Sequence, residues 1–445
     1  MTKDMTTGSP VKLILGFAFP MFLGMLFQQF YSMVDTMLVG QFLGVNPLAG
    51  VGSTGSLNFM VIGFCTGVCS GFAIPVAQMF GAKQESELRK FVTNSAWLSI
   101  VFSIVLTTAV AILCRQILIW MNTPEEIFDY AYDYIFVVFL GIPCTFLYNL
   151  LSSIIRSLGD SKTPVIFLAI SSVLNIGLDL LLILVIPMGV AGAAWATVIA
   201  QGISVGLCVL YVLARVRILI PEKKHFAVGS HLYWELFSQS ISMGLMSSIV
   251  SAGSVVLQYG INSLGTLVIA GHTAARKLFA FTDMPLTAMA SACSTYVSQN
   301  YGANHPDRVR RGMRDIYLYG VVVAVTAILL MSVGAEWMVK LVSGSSEPVV
   351  LENGVRYLVW NAPFYAVLGM LLSTRYALQS MGEKVLPLLS SVIEFLGKIV
   401  FVLLFIPRFE YNAVILCEPV IWCFMTIELL IAYRHNSFVF PKMKK

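Results

Sequence analysis

The sequence predicts an all-α, polytopic membrane protein of twelve spans in two pseudo-symmetric bundles of six helices. Composition is the first of three observations behind that expectation. Of 445 residues, 58% are hydrophobic and 11% charged, and mean hydropathy is +0.82, beyond the range of a water-soluble domain. Second, apolar runs of at least ~18 residues recur along the chain, close to the ~20 that a helix needs to cross ~30 Å of hydrocarbon. They centre near residues 25, 63, 103, 140, 174, 201, 247, 282, 326, 364, 395 and 422. Third, the chain repeats itself at a shift of about 221 residues.

The first run, from about Val11 to Gly40, has no small-residue cleavage site and reads as a retained helix rather than a signal peptide. The strict alternation that a barrel requires is absent throughout. Orientation follows from the basic residues of the connections. With the N-terminus inside, 21 of the 28 Lys and Arg fall in cytoplasmic segments, from Lys3 and Lys12 through Lys83, Arg89, Arg156, Arg308 and Arg375 to Arg434, Lys442, Lys444 and Lys445. Four (Arg115, Lys340, Arg356, Arg408) fall outside, where loops such as TPEEIFDY (123–130) are acidic. Both termini are therefore expected in the cytoplasm. This topology accounts for the net charge of +5 without a nucleic-acid partner.

The repeat organises the rest. LGVNPLAG (43–50) maps onto LGTLVIAG (264–271), and QMFGAKQESELRK (78–90) onto QNYGANHPDRVRR (299–311). With two residues inserted, GDSKTP (159–164) maps onto GEKVLP (382–387). The expected organisation is an N-lobe over 1–217, a C-lobe over 232–445, and between them the linker 218–231 within the basic segment RVRILIPEKKHFAVGSH (215–231). An even number of spans per half gives both halves one orientation, related by an axis along the membrane normal.

Ionisable groups inside a span are costly and mark transport pathways or proton relays. Asn175 and Asp179 lie four apart on one face of the fifth helix, within SSVLNIGLDLLLILVIP (171–187). Asp35 of QQFYSMVDTMLVG sits a turn or two below the outer end of the first helix, and Thr197 of GVAGAAWATVIAQ about two turns inside the sixth. Oxygen ligands from three helices at one depth suit a hard cation, and two close carboxylates can also share a proton. The repeat is an internal control: Asp35, Asn175 and Asp179 correspond to Val256, Lys398 and Val402, so the constellation exists once. The alternative is a polar cluster that glues helices.

The second half has intramembrane charges of its own: Arg276, Lys277 and Asp283 on the eighth helix, Glu394 and Lys398 on the eleventh, Glu428 on the twelfth. Glu394 and Lys398, at i,i+4, can simply pair; alternatively Asp283 and Glu394 line a cavity and attract a cationic compound. The eight cysteines lie mostly in apolar runs and behave as small hydrophobes. GVGSTG (50–55) fits a dinucleotide fingerprint but has no βαβ context, and no Walker motif, H-E-x-x-H or nucleophile elbow appears.

The motifs VDTMLVGQFLG, GAKQ, RSLGDSKTP, NIGLDLLLI and GVAGAAWAT, with the two-lobe repeat, resemble the multidrug and toxic compound extrusion (MATE) transporters in their bacterial NorM/DinF-type branches, over nearly the whole chain. The resemblance implies V-shaped lobes that open alternately, and export of amphipathic or cationic compounds by antiport against Na+ or H+. It implies a cytoplasmic (plasma) membrane location in a bacterium, no cofactor beyond the coupling ion, no ATPase subunit and a monomer. It places the N-lobe cation site at Asp35, Asn175, Asp179 and Thr197, with Asp35 and Asp179 as Na+ ligands if sodium is coupled, and the bending proline at Pro20. The C-lobe carboxylates of some relatives have no clear match: the seventh helix offers Gln258 and the tenth no acid before its cytoplasmic end. Competing readings are a lipid-linked oligosaccharide flippase of the same superfamily and an exporter of one metabolite.

Overall fold

The computed structural model describes residues 2–226 and 229–441; Lys442, Lys444 and Lys445 of the basic tail lie outside this range. Sixteen α-helices and no strand occur among the described residues. The first eight are α1 (Pro10–Leu43), α2 (Val45–Ser53), α3 (Gly55–Gly81), α4 (Glu85–Trp120), α5 (Glu125–Leu140), α6 (Ile142–Ser157), α7 (Lys162–Leu180) and α8 (Gly189–Arg215). The second eight are α9 (Ser230–Asn262), α10 (Thr266–Gly302), α11 (Pro306–Ser343), α12 (Pro348–Asn361), α13 (Tyr365–Ser380), α14 (Val385–Val400), α15 (Ile406–Phe409) and α16 (Tyr411–His435).

Ten spans are long and apolar enough to cross a bilayer, and α5 with α6, bent by 47° at Gly141, adds an eleventh. Pro143, which lacks an N–H, enters α6 at its first turn and accounts for that break. The twelfth long helix is α10, whose 37 residues would reach ~55 Å at 1.5 Å per residue. It is the span centred near residue 282, and Arg276, Lys277 and Asp283 inside it make it less apolar than the others.

The repeat is written into the backbone. Left-handed residues recur in pairs: Gly44 and Gly265 at φ 97° and 95°, Lys83 and Asn304 at 58° and 57°, Gly159 and Gly382 at 84° and 88°. A Cβ is strained at such angles, which explains glycine at both copies of the first and last pair. A π-helical turn also follows the fifth helix of each half, Leu181–Val185 after α7 and Phe401–Phe405 after α14. Such turns are rare and cluster at functional sites.

By internal contacts the chain forms two compact units. Unit 1 comprises Met1–Asp4 and Pro20–Ser247, and unit 2 comprises Met5–Phe19 and Ser248–Lys445. The first residues of α1 thus count with the second unit, and the first half of α9 with the first. Small residues explain the second exchange. On α3, a Cβ added to Gly67 would lie 2.6 Å from the Met243 carbonyl oxygen, and one added to Gly71 would lie 2.5 Å from Ser240 Cα. This G-x-x-x-G face lets α9 pack backbone to backbone on α3, where dispersion and close fit replace the hydrophobic effect. On α1 the assignment changes at Pro20, which cannot donate to the carbonyl one turn before it.

Unit 1 has a large core built from α3, α4, α5 and α6, including Phe72, Phe91, Phe139 and Phe146. A smaller cluster joins Val39, Tyr134, Val137, Ile183, Val190, Ala193 and Ala194. Arg375, counted with the basic residues of the cytoplasmic side, is 4% exposed and lies within α13, five residues before its end at Ser380.

Candidate functional site

Unit 1 gathers its polar intramembrane groups from three helices. Asp35 lies eight residues before the end of α1 at Leu43, Asn175 and Asp179 line one face of α7, and Thr197 stands on α8. The α1 and α7 backbones approach closely where Gly24, given a Cβ, would come within 2.9 Å of Val165. Asn175 Nδ2 donates to Thr197 Oγ1 at 3.4 Å, and Thr197 in turn donates to the Ala193 carbonyl at 3.3 Å. Asp35 lies within electrostatic reach of Asp179. Two tyrosines, Tyr31 one turn before Asp35 and Tyr134 on α5, lie within reach of both carboxylates.

The state of the oxygens is the informative part. Asp35 Oδ1, Asn175 Oδ1 and both Asp179 carboxylate oxygens are buried with no hydrogen-bond partner among the described residues. Asp179 is fully buried and Asn175 nearly so, while Asp35 and Thr197 are half-buried. Buried polar atoms are nearly always satisfied, and a buried carboxylate without a partner costs several kcal/mol. Among the described residues neither Asp35 nor Asp179 forms an ion pair with a basic side chain. What the arrangement lacks is positive charge that accepts oxygen ligands: a hard cation or a proton. The donor set contains no sulfur or imidazole, which fits an alkali ion and not a zinc-type centre.

One turn away along each helix the environment turns apolar. Val39 follows Asp35, Ile183 follows Asp179 and Ala193 precedes Thr197 by four residues, and all three belong to the cluster that contains Tyr134. This layer closes the polar group on the side of the Leu43 end of α1.

Unit 2 has a different solution. Arg276 Nη1 donates to Glu418 Oε2 at 2.7 Å, Tyr357 OH donates to the same oxygen at 2.7 Å, and Lys398 Nζ donates to Glu394 Oε1 at 2.8 Å. Lys398 also lies 3.9 Å from Glu418 Oε1. The Arg276 guanidinium stacks over Phe279 at 4.8 Å, and Asp283 accepts from Thr287 at 3.2 Å. The i,i+4 spacing of Glu394 and Lys398 is thus realised as a direct pair. Gln258 is not bonded into this network: its amide donates to Asn262 at 2.8 Å on an exposed face of α9, and Lys277 is exposed.

Four participants lie outside the set that the sequence singles out. Glu418, the hub of unit 2, carries the same signal as Asp179, a carboxylate inside an apolar span. Tyr134 and Tyr357 are signalled by the repeat: they stand 223 residues apart, the offset between the starts of α5 and α12. Tyr31 has only helical spacing to Asp35, a signal common to many aromatic residues.

The MatE family model matches residues 20–181 and again 243–404, two segments at the same offset of 223. The "Probable multidrug resistance protein YpnP" of Bacillus subtilis (strain 168) is 27% identical over 88% of this chain and 87% of its own. An "FAD transporter" of Shewanella oneidensis is 21% identical over 83% of this chain and 82% of its own. Among solved structures, a multidrug resistance MATE family transporter of the MOP superfamily in its outward-facing conformation superposes with a TM-score of 0.90. It is 20% identical and covers 99% of this chain and 100% of that one. At that identity the superposition speaks for the fold.

Proposed function

The chain belongs to the MatE family of membrane transporters, and on that premise we propose that it exports amphipathic, cationic compounds by antiport against Na+ or H+. The observation that carries the coupling is the set of four orphaned, buried oxygens on Asp35, Asn175 and Asp179. A cation or proton bound there would satisfy them, and Thr197 would complete the oxygen shell. The membrane is that of a bacterium, with both termini cytoplasmic as the basic loops argue.

Binding does work only by discriminating between two arrangements of the protein. In the proposed cycle the coupling ion favours the arrangement in which α1 closes on α7 and α8, and the exported compound favours the other. Pro20 is the point along α1 where such a change is least costly, since no backbone hydrogen bond has to break there.

The similarity to an FAD transporter supports a second reading, export of one metabolite. A phosphate-bearing cargo, or the lipid pyrophosphate of a flippase, needs unpaired cationic contacts. In unit 2 Arg276 and Lys398 are already paired with Glu418 and Glu394, which leaves Arg375, two of whose buried guanidinium nitrogens have no hydrogen-bond partner, as the candidate contact for such a cargo. The deciding experiment is efflux of a cationic dye from proteoliposomes, with a Na+ gradient and a pH gradient imposed separately. Acceleration by one gradient names the ion. Indifference to both, in protein that remains folded, overturns the antiport reading.

A further inference from the structure

Comparing the polar groups of the two units through the repeat shows a substitution of function. At the offset of 223 residues, Tyr134 of unit 1 becomes Tyr357 of unit 2, Ser171 becomes Glu394 and Asn175 becomes Lys398. In unit 1 neither Asp35 nor Asp179 forms an ion pair with a basic side chain among the described residues. Unit 2 pairs two of its carboxylates, Glu394 and Glu418, directly with Lys398 and Arg276, while Asp283 accepts from Thr287 and both Glu428 oxygens are buried without a hydrogen-bond partner among the described residues. The Lys398 ammonium therefore stands between two carboxylates at the position homologous to the amide of the unit 1 site. Its stem has a prepared slot: on α9, a Cβ added to Gly253 would lie 3.2 Å from Lys398 Cδ. Lys398 is 2% exposed, so this cation does not exchange with solvent.

We propose that Lys398 is a tethered cation, which fills in unit 2 the place that an external ion takes in unit 1, so that unit 2 takes no coupling ion. Removing its ammonium opens there a site for a monovalent cation, a primary alkylammonium or an alkali ion. The proposal rests on the reading of Asp35 and Asp179 as the coupling site. It explains why the constellation occurs once: a single external ion serves a two-fold scaffold because the second position is occupied covalently. With Lys398 removed, Glu418 keeps its salt bridge to Arg276, while Glu394, within electrostatic reach of Arg375 but outside ion-pair distance of it, loses its direct counter-charge and stays buried.

The test uses purified full-length protein in a choline-based buffer free of alkali ions, read by thermal unfolding. Lys398→Ala deletes Cγ, Cδ, Cε and Nζ, the atoms of n-propylammonium. Added n-propylammonium is expected to raise the Tm of this variant saturably, with no such rise in the unmutated protein and none from n-propanol. The rise should disappear in Lys398→Ala/Glu394→Gln and persist in Lys398→Ala/Asp179→Asn. That persistence separates this site from the unit 1 reading, which stands or falls on gradient-driven efflux. An equal response to n-propanol, or no response in a folded Lys398→Ala protein, overturns the proposal. If that variant does not fold, Lys398→Met keeps the stem in its slot without the charge. Saturable stabilisation of Lys398→Met by Na+ or Li+ beyond that of the unmutated protein supports the proposal, and its absence refutes it.

Discussion

Replacing Asp179 by Asn should stabilise the protein and uncouple it, two effects of opposite value from one atom's change. Both Asp179 oxygens are buried without partners, and the residue has no accessible surface. An ionised carboxylate so placed costs several kcal/mol, offset only when a cation or proton is bound. The isosteric amide leaves unpaired but neutral groups, at about 1–3 kcal/mol. The difference favours Asn by roughly 1–3 kcal/mol in the ion-free state, and about 1 kcal/mol raises Tm by roughly 2–4 °C in a unit of some 200 residues. The assay is thermal unfolding of both proteins, with and without the coupling ion, beside gradient-driven dye efflux. Ion-free Tm should rise in Asp179→Asn, its ion dependence should vanish, and coupled efflux should be lost. A folded variant that is less stable than the parent when ion-free, or that still couples efflux to a gradient, would refute the reasoning, because the carboxylate would then be satisfied by something other than an ion.

Glu418→Ala should be the most damaging change in unit 2, at about 3–5 kcal/mol, because it leaves Arg276 and Lys398 short of a counter-charge. Glu418→Gln, whose amide oxygen still accepts from Tyr357, should lose measurably less in the same unfolding assay. Gly71→Ala should cost about 1–3 kcal/mol by forcing α3 off Ser240 of α9. Gly206→Ala, where an added Cβ meets nothing within 4 Å, serves as the control and should be neutral or stabilising by up to about 1 kcal/mol. At the turn between α6 and α7, Asp160 accepts from the Thr163 N–H at 3.1 Å, the Thr163 hydroxyl at 2.7 Å and the Tyr211 hydroxyl at 2.7 Å. Burial alone would raise this carboxyl, but its hydrogen bonds, those from Thr163 and Tyr211 among them, prevail and hold it below its ordinary value. A lowered folded-state value gives stability that is present above the ordinary carboxylate pKa of about 4 and is lost as pH falls through the folded one. Asp160→Asn should therefore cost about 1–2 kcal/mol at pH 7, with the deficit narrowing in acid.

Some of this molecule was legible before any coordinates. Hydrocarbon solvates neither charge nor open backbone, so span length and apolarity write the helices directly into composition, and a carboxylate such as Asp179 stands out against its surroundings. The same logic makes α10, the span centred near residue 282, the faintest of these signals, since its charges lower its apolarity and Arg276 finds its partner only in the fold. Repetition was legible too, because Gly44 and Gly265, or Gly159 and Gly382, must meet the same φ requirement twice.

Tertiary structure decided what each group touches. Glu394 and Lys398 lie one turn apart and pair within a single helix, so their bond is a local matter that spacing could anticipate. Glu418 meets Arg276 across 142 residues, and Arg375 is buried inside α13, which a lone basic residue in the sequence does not announce. The exchange of half-helices at Pro20 and Ser247 depends on the fit of Gly67 and Gly71 against α9, a matter of ångströms that no residue pattern encodes alone. Sequence by itself determined which residues are expensive to bury, since that cost belongs to the residue and its solvent. Only the fold decided which of them are compensated, leaving Asp179 without a partner and giving Lys398 two.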